Sequence, residues 1–345
     1  MKTLCFTFYI LLLFSCKQEN APRIIEEISI QQFDIENSSI RAIAAISEKE
    51  LHFAGSAGII GKTKDGGQTW KLININYQDS IQPHFRSIAK TSNALFALSI
   101  ENPALLYKIS NDEHRIVYKE SHEKVFYDAM TFIDDTTGIA IGDPIDGCTS
   151  IIMTKDGGNT WQKIDCSKLP KMLDSEASFA ASNTNIAVVD HNIWIVTGGS
   201  KARVLKSSDK GETWNIFNTP ILQGKASQGI YSVDFYDQNH GIIIGGDYTK
   251  PNDNFANKAI TTDGGVTWSL VANGKTPSYK SCVQYVPGTK GKELVAVGKT
   301  GVTFSNDRGQ TWNDISPEGY YAIQFIDKNT AWLSGHKKIG KLTLK

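Results

Sequence analysis

The chain has 345 residues, of which 36 are basic, 36 are acidic and 40% are hydrophobic. This balance is typical of a globular domain, and without an extended basic run it gives no reason to expect a nucleic-acid partner. Only three of the five cysteines follow residue 16, so an odd number is left and a disulfide framework is excluded as the basis of the fold.

The first element in chain order is an apolar run over residues 4–14, preceded by Lys2. It is too short to span a bilayer as a helix and is typical of a secretory signal. The string Leu-Phe-Ser-Cys that ends at Cys16 resembles a bacterial lipobox, with a bulky Phe14. We therefore expect residues 1–16 to be a lipoprotein-type signal peptide, Cys16 to be lipidated and residues 17–27 to be a tether. Cleavage elsewhere and an uncleaved anchor are the alternatives. The lipobox predicts a protein of the bacterial cell envelope, either periplasm-facing or surface-exposed.

An octapeptide recurs five times along the rest of the chain. The copies are TKDGGQTW (63–70), TKDGGNTW (154–161), SSDKGETW (207–214), TTDGGVTW (261–268) and SNDRGQTW (305–312). Their shared aspartates are Asp65, Asp156, Asp209, Asp263 and Asp307, and their shared tryptophans are Trp70, Trp161, Trp214, Trp268 and Trp312. The aspartates are 91, 53, 54 and 44 residues apart, so the long first gap predicts a degenerate copy near residues 110–112. Such a period indicates a propeller or a solenoid.

Each residue type in the octapeptide suits a hairpin turn. The glycine suits a backbone position with positive φ, the Asp and Ser/Thr side chains can accept backbone N–H groups, and the Trp can wedge between sheets. A calcium loop is the alternative, but such loops usually need several carboxylates where each copy offers one or two. We therefore predict a structural role for the motif and no metal.

Short β-patterned runs precede each copy, as in FYDAMTF (126–132) and TGIAIG (137–142) before the second one. Units of this kind begin near residues 40, 85, 126, 178, 230, 281 and 321, and the last supplies only three strands. The strand pattern at residues 26–36 can complete it. We therefore predict an all-β fold over residues 28–345: a single seven-bladed β-propeller of four-stranded antiparallel blades, closed by an N-terminal strand. Six blades is the alternative, if the degenerate unit 85–120 is not a full blade.

The octapeptide resembles the Asp-box (BNR) repeat, which is shared by sialidases, sortilin-type receptors, some glucanases and the Ycf48/HCF136 family of photosystem II assembly factors. This resemblance implies that the box forms the turn between the third and fourth strands, on the face away from the usual functional surface. The seven-blade count agrees with the Ycf48/HCF136 family, whose members hold other proteins during assembly of membrane complexes. The resemblance thus implies a propeller fold and a scaffold that holds other proteins. The sequence itself gives no sign of a photosynthetic host.

Counting back about 14 residues from the glycine that ends each second strand gives one position at the channel mouth per unit. These positions are Arg41, Arg86, Asp128, Tyr231 and Tyr321, with Ser178 and Ser281 aligned less surely. The loops after the second strands add Asp143, Asp247, Tyr248 and Arg203 on the same face. Such a polar ring predicts a binding surface for a peptide or carboxylate-bearing ligand, with Arg as the anchor. The alternatives are a solvated channel and ordinary loop variation.

A sialidase-like or other glycoside hydrolase is the rival prediction. Sialidases use three Arg, a Tyr nucleophile with its Glu, and an Asp. Arg41, Arg86 and Arg203 offer a triad, but no Glu–Tyr pair is placed to complete it. For a paired-carboxylate glucanase only Asp128 and Asp143 are suggestive.

No nucleotide or cofactor motif occurs, and no His lies at ligand spacing beside the cysteines. Cys148 and Cys166 bracket one Asp box and can pair in an oxidising compartment. We predict a non-catalytic, membrane-anchored, monomeric scaffold that binds a protein or peptide and needs no cofactor.

Overall fold

The computed structural model describes residue 23, residues 25–111 and residues 113–345. The predicted signal peptide, the lipobox Cys16 and most of the tether lie outside this part of the chain. Apart from one 3₁₀ turn at Cys166–Lys168, the regular structure of the described residues consists of β-strands. None of their helices is long and apolar enough to cross a membrane. The predicted all-β fold is confirmed.

The strands are numbered in chain order. The first half comprises β1 (Ile28–Ala45), β2 (Leu51–Gly55), β3 (Ile59–Thr63), β4 (Lys71–Asn74), β5 (Phe85–Lys90), β6 (Leu95–Ser99), β7 (Ala104–Ser110), β8 (Glu113–Glu120), β9 (Tyr127–Phe132), β10 (Gly138–Ile145), β11 (Cys148–Thr154), β12 (Gln162–Lys163), β13 (Glu176–Ala177) and β14 (Ile186–Val189). The second half comprises β15 (Asn192–Val196), β16 (Gly198–Gly199), β17 (Arg203–Ser207), β18 (Asn215–Asn218), β19 (Gln228–Phe235), β20 (Gly241–Asp247), β21 (Lys258–Thr261), β22 (Ser269–Leu270), β23 (Cys282–Tyr285), β24 (Leu294–Gly298), β25 (Gly301–Ser305), β26 (Asn313–Ser316), β27 (Ala322–Phe325) and β28 (Thr330–Leu344).

Antiparallel pairing groups these strands into six sheets. Four sheets have four strands each, in the orders β5-β6-β7-β8, β12-β11-β10-β9, β14-β15-β17-β18 and β23-β24-β25-β26. Two have six strands, in the orders β27-β28-β1-β2-β3-β4 and β13-β16-β19-β20-β21-β22. The structure is thus a propeller with six sheets, which matches the alternative count, and the seven-blade prediction is not confirmed.

The difference between the seven predicted blades and the six observed sheets arises where the two ends of the chain meet. The degenerate unit forms the complete sheet β5–β8, so it is not the cause. Instead, β1 is one long strand with a register break between Asp34 and Ser39. Its first half pairs with β28, from Ile28 opposite Leu344 to Asp34 opposite Lys338, and its second half pairs with β2. The chain ends and the first unit are therefore hydrogen-bonded as one sheet, and the predicted closure by an N-terminal strand is confirmed.

The core lies between the faces of neighbouring sheets, because both faces of most strands carry apolar side chains. One example is the cluster between β14–β18 and β19–β22. There the ring of Trp194, fully buried, stacks on that of Phe235 with centroids 3.7 Å apart. Trp268 of the fourth Asp box meets Phe235 edge to face at 6.0 Å. The box tryptophan thus helps to wedge two sheets together, as its sequence position predicted.

The five Asp boxes connect third to fourth strands, as in β3 to β4 and β25 to β26. In the first box the Thr63 hydroxyl donates to Asp65 at 2.8 Å and accepts from the Gly67 N–H at 2.9 Å. Asp65 also accepts the N–H and the hydroxyl of Thr69, at 2.9 and 2.6 Å. The other four boxes repeat these bonds. The box glycine has φ of 93° here and of 75° to 91° in the others, which confirms its predicted role.

Candidate functional site

The two ends of the propeller differ in which turns they carry. Turns between first and second strands lie beside the Asp boxes, as the bond from the Gly66 N–H to the Lys49 carbonyl shows. The first strands begin, and the second strands end, at the opposite end. We call the first the Asp-box end and the second the cavity end.

A cavity of about 490 Å³ opens at the cavity end, over the central channel. Eight of the eleven side chains predicted for the channel mouth and its loops line it together: Arg41, Arg86, Asp143, Tyr231, Tyr248 and Tyr321, with the less surely aligned Ser178 and Ser281. These predicted positions therefore lie together at the end opposite the boxes. Residues that the sequence did not point to also line it, namely Phe126, Phe179, Tyr279 and Lys299. For Tyr279 a signal existed, because it lies two residues before the aligned Ser281.

The floor of the cavity is an irregular segment, residues 178–184, which we call the plug. A first strand was expected to begin near Ser178, but the strand of that sheet starts only at Ile186. The plug instead crosses the channel. The Asn183 amide donates to the Ile88 carbonyl and accepts from the Met130 N–H, both at 2.9 Å, and thereby bonds to β5 and β9.

On the other side of the channel, Ser182 donates to the carbonyl of Ser281 at 2.8 Å, next to β23. Ser182 and Asn183 also line a separate cavity of about 380 Å³ at the Asp-box end. The plug therefore divides the channel, and the cavity above it is a closed-bottomed cup.

One wall of the cup is cationic. Arg41 places its guanidinium 4.0 Å from the ring centre of Tyr321 and donates to the plug carbonyl of Ala181 at 3.2 Å. Arg86 donates to the carbonyl of Ala180 at 3.3 Å. Burial, and then the charge of Arg41, lower the pKa of Arg86. Within the described chain neither guanidinium has a carboxylate within 4.0 Å, so the two positive charges reinforce each other.

Two carboxyl groups lie in the same wall, on the paired strands β9 and β10. Asp128 is fully buried, and neither of its oxygens accepts a hydrogen bond of full geometry among the described residues, although the backbone N–H of Ala180 acts on it and lowers its pKa slightly. Burial, and then the charge of Asp143, raise the pKa of Asp128 well above its usual range, while Arg86 opposes them. Asp143 accepts the Ser178 N–H at 2.9 Å, yet burial raises its pKa to about 6.

The opposite wall is aromatic. Phe179 stacks on Tyr231 with ring centres 4.0 Å apart and planes 6° from parallel. Tyr279 meets Tyr231 edge to face at 4.9 Å, and Tyr248 does so at 6.4 Å. The Tyr231 hydroxyl donates to the Ser227 carbonyl at 2.8 Å, which fixes the ring at the centre of this cluster. Such a wall can accept an apolar or aromatic group of a ligand.

Three predicted residues lie outside the cup. Asp128 is buried within the wall and does not reach the cavity surface, and Arg203 and Asp247 are bound within their own loops. Arg203 forms a buried ion pair with Glu176, with a second bond from Nε to Oε1 at 2.9 Å. Asp247 accepts the Thr249 N–H at 3.0 Å. The structure does not bring Arg203 and Asp247 to the cavity, because contacts within their loops occupy them, and the three arginines required by a sialidase do not converge.

Cys148 and Cys166, whose pairing the sequence left open, form a disulfide with Cα atoms 5.7 Å apart. It joins the start of β11 to the 3₁₀ turn after β12, at the cavity end. The third cysteine, Cys282, is buried and free.

Comparison with known proteins supports the fold. The model of the BNR/Asp-box repeat matches residues 259–270, around the fourth box. Among solved structures, YCF48 bound to a D1 peptide has a TM-score of 0.66 at 15% identity, covering 92% of this chain and 97% of that one. YCF48 from Cyanidioschyzon merolae has a TM-score of 0.63 at 15% identity, covering 91% and 98%.

The WD40 repeats of RRP9 are similar to nearly the same degree, with a TM-score of 0.63 at 11% identity, covering 92% of this chain and 100% of that one. No curated protein matches the sequence significantly. The resemblance to Asp-box propellers is therefore confirmed. At these identities the structural likeness establishes the β-propeller fold and leaves function to the site.

Proposed function

We propose that this protein is a non-catalytic scaffold that binds a protein or peptide partner in the cup at the cavity end. The observation that carries the proposal is the convergence of two arginines on one wall of the cup, opposite an aromatic wall. A likeness in fold to a propeller solved with a bound peptide supports the class of partner.

The geometry of the cup also supports a particular chemistry for the partner. Two guanidiniums without carboxylate partners favour a carboxylate, which Arg can bind in a fork-like manner. The stacked rings of Phe179 and Tyr231 favour an apolar or aromatic side chain beside it. A volume of about 490 Å³ lies within the range common for ligand pockets and suits a short peptide segment.

The second part of the proposal is a lipid anchor on Cys16 that holds the protein in the bacterial envelope. Arg23 forms an ion pair with Glu293 at 2.8 Å and a hydrogen bond to Asn329 at 2.7 Å. Both partners lie in turns between first and second strands, at the Asp-box end. The tether would leave from that end, and the cup would open towards the aqueous phase, where a partner can reach it.

The test of partner binding is a pull-down from solubilised membranes with the wild type and with Arg41→Ala/Arg86→Ala. The matched control is Arg115→Ala/Arg308→Ala, which removes two arginines from the Asp-box end. We expect partners to be lost only with the cup variant, while thermal melting shows both variants folded. Identical partner lists for the wild type and the cup variant would contradict the proposal. So would turnover of fluorogenic sialosides or glucosides that the cup variant abolishes.

The anchor is tested separately with Cys16→Ser. We expect globomycin-sensitive processing in the wild type and loss of membrane association in the variant. A variant that stays with the membrane fraction would indicate an uncleaved apolar anchor instead.

A further inference from the structure

The cationic wall of the cup contains four ionisable groups that do not pair with one another. Arg41 and Arg86 donate hydrogen bonds to the backbone carbonyls of Ala181 and Ala180, respectively, and not to carboxylates. Within the described chain Asp128 accepts no hydrogen bond of full geometry, although the Ala180 N–H acts on it, and Asp143 accepts one backbone N–H. Buried charges in proteins are ordinarily paired, so this arrangement needs an explanation.

The surroundings favour a proton on the carboxyl pair. Two carboxyls on adjacent strands, one of them fully buried, cannot both carry a charge without a large desolvation and repulsion cost. Arg86 acts against this cost, and so does the Ser178 N–H on Asp143.

The wider set of charges is small. Arg41, stacked on Tyr321, shares the wall with Arg86, and Lys299 also lines the cup. Glu101 acts on Arg86 and lies 3.6 Å from His84. A proton on the acid pair leaves the wall with a net positive charge, and loss of that proton weakens the field on an anion.

We propose that the cup takes up a carboxylate ligand together with a proton, which binds to the Asp128–Asp143 pair while the ligand carboxylate binds between Arg41 and Arg86. The coupling rests on the proposed function, because it assigns the ligand to the same cup. The proton comes from solvent, and no other group is exchanged. A bound anion favours the protonated pair, so by reciprocity the protonated pair favours the anion.

The affinity for a carboxylate ligand should fall as the pH rises. The pKa of Asp143 is raised to about 6, and that of Asp128 lies above its ordinary range. The cup therefore holds its proton at low pH and loses it as the pH rises through these values. Affinity for a carboxylate should be on the order of tenfold higher at pH 5.5 than at pH 8, since the linkage of one proton gives at most a factor of ten per pH unit. An exposed peptide carboxylate stays ionised over this range.

The experiment uses N-acetylphenylalanine, which joins a carboxylate to an aromatic ring, with N-acetylphenylalaninamide as the uncharged control. Dissociation constants are measured by NMR titration of the full chain at pH 5.5 and pH 8. We expect the acid to bind more tightly at pH 5.5 and the amide to bind weakly and equally at both. In Asp128→Asn, which imitates the pair carrying one proton and leaves Asp143 in place, the acid should bind at pH 8 about as tightly as it binds the wild type at pH 5.5.

The outcomes separate the two proposals. Binding of the acid with the same affinity at both pH values would overturn the coupling and leave the ligand site standing. No preference for the acid over the amide, or no binding at either pH, would overturn the carboxylate ligand and the coupling with it. Carbon-13 titration of the aspartate carboxyls, assigned with the single Asn variants, is an independent check. Midpoints below pH 5 for both would also overturn the coupling.

Discussion

At the Asp-box end five aspartates sit in five nearly identical hydrogen-bond networks, whereas at the cavity end the buried Asp128 lies near the partly exposed Asp143, and among the described residues no cation lies within 4.0 Å of either. Hydrogen bonds from Thr69 and Thr63 lower the pKa of Asp65 to about 2. Burial raises the pKa of Asp143 to about 6. The same residue type therefore has a lowered pKa at one end and a raised pKa at the other, where we have proposed that it takes up a proton.

The two ends differ because a box is built from residues close together in sequence, whereas the cup is built from residues of many different strands. A box closes its own hairpin with bonds between residues two to four positions apart, so the same eight residues work in any sheet. The cup is assembled from different strands, and each strand contributes a different side chain. Repetition along the chain therefore indicates structure, and departure from repetition at matching positions indicates the binding site.

Removing the Cys148–Cys166 disulfide should change the free energy of unfolding more than any other substitution that we consider. It closes a loop at the cavity end, where the repeated networks are absent, over a sequence separation of 18 residues. The loop-entropy relation gives a loss of about 3 kcal/mol on its removal. Urea unfolding of Cys148→Ser/Cys166→Ser against the wild type measures it.

In the same disulfide variant we expect the Asp-box end to be unaffected, as judged by hydrogen exchange of the box amides such as Gly158. A loss of protection in all five boxes would show that the two ends are not independent. Unchanged unfolding free energy would show that the link does not stabilise the cavity end.

The boxes show how much of the fold could be predicted from sequence. Because the Asp-box bonds are local, the octapeptide predicted the hairpins, the positive φ of the glycines and the end of the propeller that carries them. Counting from that register then recovered Arg41, Arg86, Tyr231 and Tyr321, which do meet in the cup.

What could not be predicted depends on distant partners. The plug bonds to residues far away in sequence, as in Arg41 to Ala181, 140 positions apart. No local pattern encodes such a bond. Arg203 was misplaced for a similar reason, since its partner Glu176 lies 27 positions away and its loop gave no sign of the ion pair. The number of sheets differs from seven because β1 continues through a bend between two partners, which a strand pattern does not show.

A sharper test compares two isosteric substitutions, one at each end. Burial raises the pKa of Asp263, but hydrogen bonds from Thr267 and Thr261 outweigh it, so the net pKa is lowered. Its contribution to stability is present above about pH 4 and lost as the pH falls through its folded pKa. For Asp128 the pKa is raised, so its contribution is present below about pH 4 and lost as the pH rises through its folded pKa.

We therefore expect opposite signs at pH 8. Asp263→Asn should lower the free energy of unfolding by about 1–2 kcal/mol through weaker charge-assisted bonds, and Asp128→Asn should raise it by about 1 kcal/mol. The gain from Asp128→Asn should disappear at pH 4. Asp253→Asn, on an exposed loop, is the control. Urea unfolding at both pH values checks this, and a shared sign at pH 8 would remove the contrast between the ends.

The smallest expected effect is a difference in unfolding free energy between two Trp→Phe substitutions in the boxes. It distinguishes the contribution of packing from that of hydrogen bonding. Trp312 and Trp161 are both nearly buried, with 5% and 6% of their surface exposed. The Trp312 indole donates to the Gly309 carbonyl at 2.9 Å, whereas the buried indole N–H of Trp161 has no partner in the described chain. Trp312→Phe should therefore cost about 1 kcal/mol more than Trp161→Phe in urea unfolding, since only the first loses a hydrogen bond. Equal costs would mean that the box tryptophans act by wedging alone, and that the networks around Asp and Thr supply all of the directional bonding at that end.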